Sequence, residues 1–136
     1  VLTNAIMLDE LPSSPDSLVR RAQCAAAAWD AGVTFLAANP GVVPTLAHLN
    51  LFDVTAVFGG TAGTYANFEH HAWARSVLAS ALWHLVYGCS EEQILMMERN
   101  ALQRGAGHVF ATDRFLPNPW LGTPSAASAR LVAGRG

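Results

Sequence analysis

The chain has 136 residues, 51% of them hydrophobic and 13% charged, which is enough apolar material for a packed core and excludes a disordered composition. A net charge of -2 and only eight basic residues, all Arg and none clustered, leave no field for nucleic acid. No apolar run approaches the roughly 18 residues that a membrane span requires, and the opening residues lack the charged and apolar regions of a signal peptide.

The first element is a short apolar strand, Ile6-Met7-Leu8, that runs into Asp9 and Glu10 and is closed by Pro12, Ser13 and Ser14. Two carboxylates at the end of an apolar strand are placed there for a reason other than packing. In parallel α/β proteins the C-terminal strand ends face the ligand crevice. Asp16 to Ala31 is predicted as a helix, with Pro15 at its start, Leu18, Val19, Ala22, Ala26 and Trp29 at helical spacing, and Gly32 at its end. Val33 to Ala38 is a second strand, stopped by Asn39-Pro40-Gly41, and a short helical turn covers Pro44 to Leu49.

Asp53 to Phe58 is a third strand, followed by GGTAG and Tyr65. The stretch from Phe68 to about Ser80 is predicted as a helix that Glu69 opens, and Leu82 to Tyr87 as a fourth strand ending at Gly88. Ser90 and Gln93 form a capping-box pattern at the head of a helix through Gln103, which Gly105 ends. His108 to Thr112 is the fifth strand, and Asp113 begins a Pro- and Asn-rich segment. The order β-α-β-α-β-α-β-α-β with short connections predicts a parallel sheet with helical crossovers. Periodicity alone leaves open whether it is a doubly wound sheet or part of an eight-stranded barrel, which needs about 250 residues.

Neither GVVPT nor GGTAG matches a phosphate-cradling loop, so no nucleotide and no other cofactor is expected. His70 and His71 are adjacent, diverge on a helix and have no third ligand in view, so no metal is expected either. Cys24 and Cys89 lack a spacing motif and are expected to be buried thiols. Trp29, Trp73 and Trp83 are expected to pack helix against sheet, whereas Trp120 follows Pro119 in a loop and is expected to stack on a sugar. A shared orientation of the strands would collect Asp9, Glu10, Asn39, Tyr65, Tyr87, Asp113, Asn118 and Trp120 at one face. Carboxylates, amides and aromatics together suit a carbohydrate, because polar groups bind its hydroxyls, a ring stacks on its apolar face, and two carboxyl groups cleave a glycosidic bond. His84 alternates with Leu82 and Val86 and fits either that face or the core.

The succession IMLDELPS, LAANPG, DVTAVFGGTAGTY, LWHLVYG and GHVFATDRFLPNPW resembles the later part of the spherulin-4-like glycoside hydrolases, (β/α)₈-barrel proteins of fungi and bacteria. The likeness runs from near Ile6 to near Trp120. It implies an α/β fold made of parallel βα repeats, about five strands from the later part of a TIM-type barrel, over residues 1–124, with 125–136 as a flexible tail. It also implies action on a galactosamine-containing α-1,4-linked polysaccharide outside the cell or at its surface. By the resemblance Asp9 and Glu10 are the catalytic carboxylates, and Asn39, Tyr65, His84, Asp113, Asn118 and Trp120 bind substrate.

The likeness departs at Phe58-Gly59-Gly60, where it implies Phe-Glu-Gly with the Glu as an acid, and it has no counterpart for strands one to three of such a barrel. The alternative expectation is a non-catalytic carbohydrate-binding or structural barrel fragment. Its open first strand is expected to support a homodimer.

Overall fold

The computed structural model describes residues 4–12 and 14–121. The tail expected over 125–136 lies outside them. Five parallel strands form one sheet in the order β1-β2-β3-β4-β5. They are β1 (Ala5–Asp9), β2 (Phe35–Asn39), β3 (Val54–Thr61), β4 (Leu82–Tyr87) and β5 (His108–Ala111). Between them lie α1 (Leu18–Asp30), α2 (Leu46–Leu49), α3 (Ala62–Ala66) and α4 (Glu91–Gln103). Strand order equals chain order, as successive right-handed βα units require when each new strand is laid on the same edge. The chain divides into two compact units, Val1–Val57 and Phe58–Gly136.

In the first unit, α1 packs on one face of β1 and β2. Leu36 and Ala38 of β2 are fully buried and form one cluster with Ala25 and Ala28 of α1 and with Phe52, and Leu8 packs against it. The expected helix is present, but the stripe it buries is Arg21, Ala25 and Ala28, not Val19, Ala26 and Trp29. Val19 is 69% exposed and Trp29 38% exposed, so Trp29 does not serve as the packing residue expected of it. Alanines at i and i+3 let the helix backbone approach the small Ala38, and at that distance a Trp cannot fit between the layers. Cys24 lies on the outward side and is exposed, which corrects the expectation of a buried thiol there.

In the second unit, register pairs Trp83 with His108, His84 with Val109, Leu85 with Phe110 and Val86 with Ala111. Paired residues of a parallel ladder share a face, so His84, Val86, Val109 and Ala111 look one way and Trp83, Leu85, His108 and Phe110 the other. α4 covers the first of these faces with Ile94, Met97 and Ala101, all buried. Its predicted capping box is present in both halves: Ser90 Oγ accepts from the Gln93 N–H at 3.2 Å and Gln93 Oε1 from the Ser90 N–H at 2.8 Å. Gly88, at φ 66°, ends β4 where the Phe115 ring closes in. A Cβ there would lie 2.9 Å from that ring, so the position needs glycine twice over.

The helix predicted from Phe68 to Ser80 is absent. The α-helical turn falls earlier, at Ala62–Ala66, where the Thr61 hydroxyl accepts from the Thr64 N–H at 3.0 Å, and only 3₁₀ turns at Ala72–Ser76 and Ala79–Ala81 follow. Phe68 and His70 both turn inward onto His84, while Glu69 and His71 are exposed. That is a period of two, an extended pattern; on a helix residues 68 and 70 would point to nearly opposite sides. Glu69 therefore opens no helix.

Candidate functional site

β1 delivers Asp9 to its C-terminal end. Asp9 pairs in register with Asn39 at the end of β2, and the Asn39 Nδ2 donates to Asp9 Oδ1 at 2.8 Å. Both therefore stand on the face of the sheet opposite α1, because their neighbours Leu8 and Ala38 are the ones that reach the α1 cluster. The Glu10 N–H donates to the same Oδ1 at 2.9 Å. Two donors fix the carboxylate's orientation through one oxygen and leave Oδ2 without a partner among the described residues. Asn39 is itself held, its Oδ1 accepting from the Gly41 N–H at 3.3 Å in the Asn-Pro-Gly turn.

Glu10 adopts φ 52°, the only non-glycine residue with positive φ among those described. A left-handed Glu costs about 1 kcal/mol. Regular alternation would carry Glu10 to the side of Ile6 and Leu8, against the apolar face that α1 covers. The left-handed kink ends the strand and leaves the carboxyl exposed. The next residues are nailed from α1 and the 3₁₀ turn before it: the Arg21 guanidinium donates to the Leu11 carbonyl at 2.6 Å, and the Ser17 hydroxyl donates to the Pro12 and Ser14 carbonyls at 2.9 and 2.7 Å. Arg21 is 2% exposed, and its burial lowers its pKa. A cation is thus buried to hold the segment just behind the acid pair.

In the second unit, the groups expected at strand ends are Asp113, Asn118 and Trp120. The β4 and β5 exits are tied by the Gly88 N–H to the Arg114 carbonyl at 2.8 Å and the Cys89 N–H to the Thr112 carbonyl at 3.0 Å. Asn118 Oδ1 accepts from the Trp120 N–H at 3.2 Å, and the Arg114 guanidinium donates to the Leu121 carbonyl, so the Pro-rich segment is a braced loop. Trp120, 40% exposed, meets Tyr87 and Phe110 edge-on at centroid distances of 5.9 and 6.1 Å. That lays it over the face of β4 and β5 away from α4. Asp113 and Asn118 are exposed beside it in the chain. Phe110 was not among the predicted site residues; its period-two relation to His108 on β5 is the signal that would have found it.

His84 and Tyr65 sit elsewhere. Both are in the core, at 0% and 3% exposure, on the α4 side of the sheet. The Tyr65 hydroxyl and His84 Nδ1 lie 2.8 Å apart, and the rings of Phe58, Phe68 and His70 pack around them. Burial, with His70 and Arg104 nearby, pushes the His84 pKa down to about 3, and burial raises that of Tyr65 to about 12. Tyr65 is thus a phenol and His84 a neutral imidazole at physiological pH. The two residues read as substrate contacts contact each other; of the two readings left open for His84, its placement is that of the core.

Cys89 is buried as expected, and its pKa is raised by that burial to about 11. Among the described residues no group of three or more His, Cys, Asp or Glu is arranged to hold a metal ion, and no helix is long and apolar enough to cross a membrane.

No family profile matches the chain, and no curated protein does. Among solved structures, the crystal structure of Aspergillus clavatus Sph3 in complex with GalNAc is similar over 95% of this chain, with a TM-score of 0.72 and 17% sequence identity. The chain spans about half of that protein, 55% of its length. The likeness is one of fold: parallel strands with helices between them, in the extent expected of part of a barrel.

Proposed function

We propose that the chain is the later part of a glycoside hydrolase-like barrel that acts on a galactosamine-containing α-1,4-linked polysaccharide, outside the cell or at its surface. The observation that carries the reading is the Asp9 carboxylate, held by Asn39 at a strand end beside a strained Glu10. The similarity to Sph3, whose structure holds GalNAc, supports it. Cleavage of a glycosidic bond needs one carboxylic acid to protonate the leaving oxygen and one carboxylate to act as nucleophile or base. Asp9, fixed through one oxygen with the other free, suits the second role. Glu10, exposed and unrestrained beyond its backbone, suits the first. In the first unit Asn39 positions Asp9; in the second, taken by itself, Trp120 offers an exposed ring on which a sugar stacks, with Asp113 and Asn118 as polar neighbours in the chain.

A second reading, sugar binding without cleavage, is favoured by Gly59. This residue is the exposed position of β3, where the resemblance implies an acid, and a Cβ built on it meets nothing within 4 Å. A glutamate fits there, whereas at Gly60 a Cβ would lie 3.0 Å from the Phe58 ring.

The deciding experiment incubates the protein with a galactosamine polymer and follows released reducing ends and retained polymer. Release by the wild type that is lost in Asp9→Asn and Glu10→Gln establishes the hydrolase. Retention without release, converted to release by Gly59→Glu, establishes the binding form with a missing acid. Neither retention nor release rejects both.

A further inference from the structure

The second unit has a cleft of about 450 Å³ whose lining includes Glu69, His70, His71, Arg75, Gln103 and Arg104. It lies where α4 ends and before β4 and β5 begin, the end of the unit away from Trp120. Its lining carries two guanidinium groups and two imidazoles against one carboxylate. Arg104 stacks over the Tyr65 ring, 4.6 Å from its centroid, and spends its terminal nitrogens on long bonds of 3.3 Å to the Asn100 and Ala66 carbonyls. Its Nε is buried with no acceptor, and His70 Nε2 is buried with no partner. A buried guanidinium N–H left unpaired is a standing cost.

We infer that this cleft binds a small oxyanion, a phosphate or carboxylate group carried by a small molecule. Arg104 is preorganised by the Tyr65 ring and by two carbonyls, and those two bonds use only two of its five N–H donors. Planar, weakly hydrated guanidinium forks recognise phosphate and carboxylate better than an ammonium does. His70 stands beside it, its ring stacked on His84 at 5.1 Å, so its free nitrogen is held in place from below. Arg75, exposed in the same lining, adds a second guanidinium. The volume exceeds what a bare oxyanion fills, which leaves room for the group that bears it. A galactosamine polymer is a cation and is repelled by this lining, so the cleft is not a further subsite for the proposed substrate. The inference does not rest on that proposal.

The test uses the isotope-labelled full chain in NMR titrations with sodium phosphate and with sodium citrate, against sodium chloride at matched ionic strength. The expected result is saturable movement of the His70 ring and Gly105 amide signals, with a dissociation constant on the order of 1 mM. Saturation by phosphate or by citrate names the group preferred. Arg104→Gln is expected to weaken binding more than 10-fold and Arg75→Gln at least 3-fold. Arg75 is exposed, so its variant keeps the test sound if loss of Arg104 disturbs Tyr65. The inference is overturned if neither anion moves these signals beyond chloride, or if both variants titrate like the wild type.

Discussion

The two units differ in what packs against their strands and in the charged groups they present at their candidate sites. The first packs small side chains, Ala25, Ala28 and Ala38, and sends a hydrogen-bonded carboxylate and a left-handed Glu out at its strand ends. The second packs titratable and aromatic rings, Tyr65, His84, Phe58 and Phe68, and lines its cleft with Arg and His. The difference teaches that polarity in a residue list does not locate a site. Asp9 and His84 both lie on strands among apolar neighbours, yet one ends at the surface held by an amide and the other is sealed in the core by a phenol.

The largest expected effect separates the two. Asp9→Asn should reduce polymer cleavage by about 10²- to 10⁴-fold while leaving the urea midpoint near that of the wild type, because Asp9 is exposed. His84→Ala should do the reverse to stability: a buried ring is lost and the Tyr65 hydroxyl is orphaned, so unfolding should become easier by about 3 kcal/mol, measured by urea denaturation. Equal effects of both changes on stability would erase the contrast between the two units.

Acid sharpens the comparison next. His84 has a pKa of about 3 in the fold and 6.5 when unfolded, so between those values the unfolded chain holds the extra proton. Stability conferred by keeping the ring neutral is whole above pH 6.5 and declines as pH falls toward 3, with a limiting slope of about 1.4 kcal/mol per pH unit. His70 and His48, whose pKa values burial also lowers, add in the same direction. Urea midpoints measured from pH 7.5 to 4 should fall, and His84→Gln should flatten the profile.

A smaller effect tests the strained turn. Glu10→Gly relieves the left-handed penalty against the greater freedom of glycine in the unfolded chain, a net gain of about 0.5 kcal/mol, and should abolish cleavage. Unchanged cleavage would remove Glu10 from the acid pair. The mildest perturbation uses one thiol per unit: in native protein, Cys24 should react promptly with a thiol reagent and Cys89 only on unfolding, read as one fast equivalent followed by one slow. Two fast equivalents would show that the second unit opens more readily than its buried rings suggest.

Much of this was legible in the order of residues. Five apolar runs, closed by Gly, Pro, Asn or Asp, and a capping box at Ser90 and Gln93 specified the parallel βα succession, because those signals act within a few residues and need no partner. Asp9 beside Asn39 was legible for the same reason: strand ends are marked locally, and parallel strands put their ends on one side. What tertiary structure alone decided is which face each side chain occupies. α1 buries Arg21 and its alanines and leaves Trp29 out, since closeness of approach between layers, not hydrophobicity, selected the face. The segment from Phe68 became extended because two rings were drawn onto His84, a contact that exists only once β4 and α4 are in place. Local propensity sets the elements; the sharing of faces among distant strands and helices sets which polar residues meet solvent.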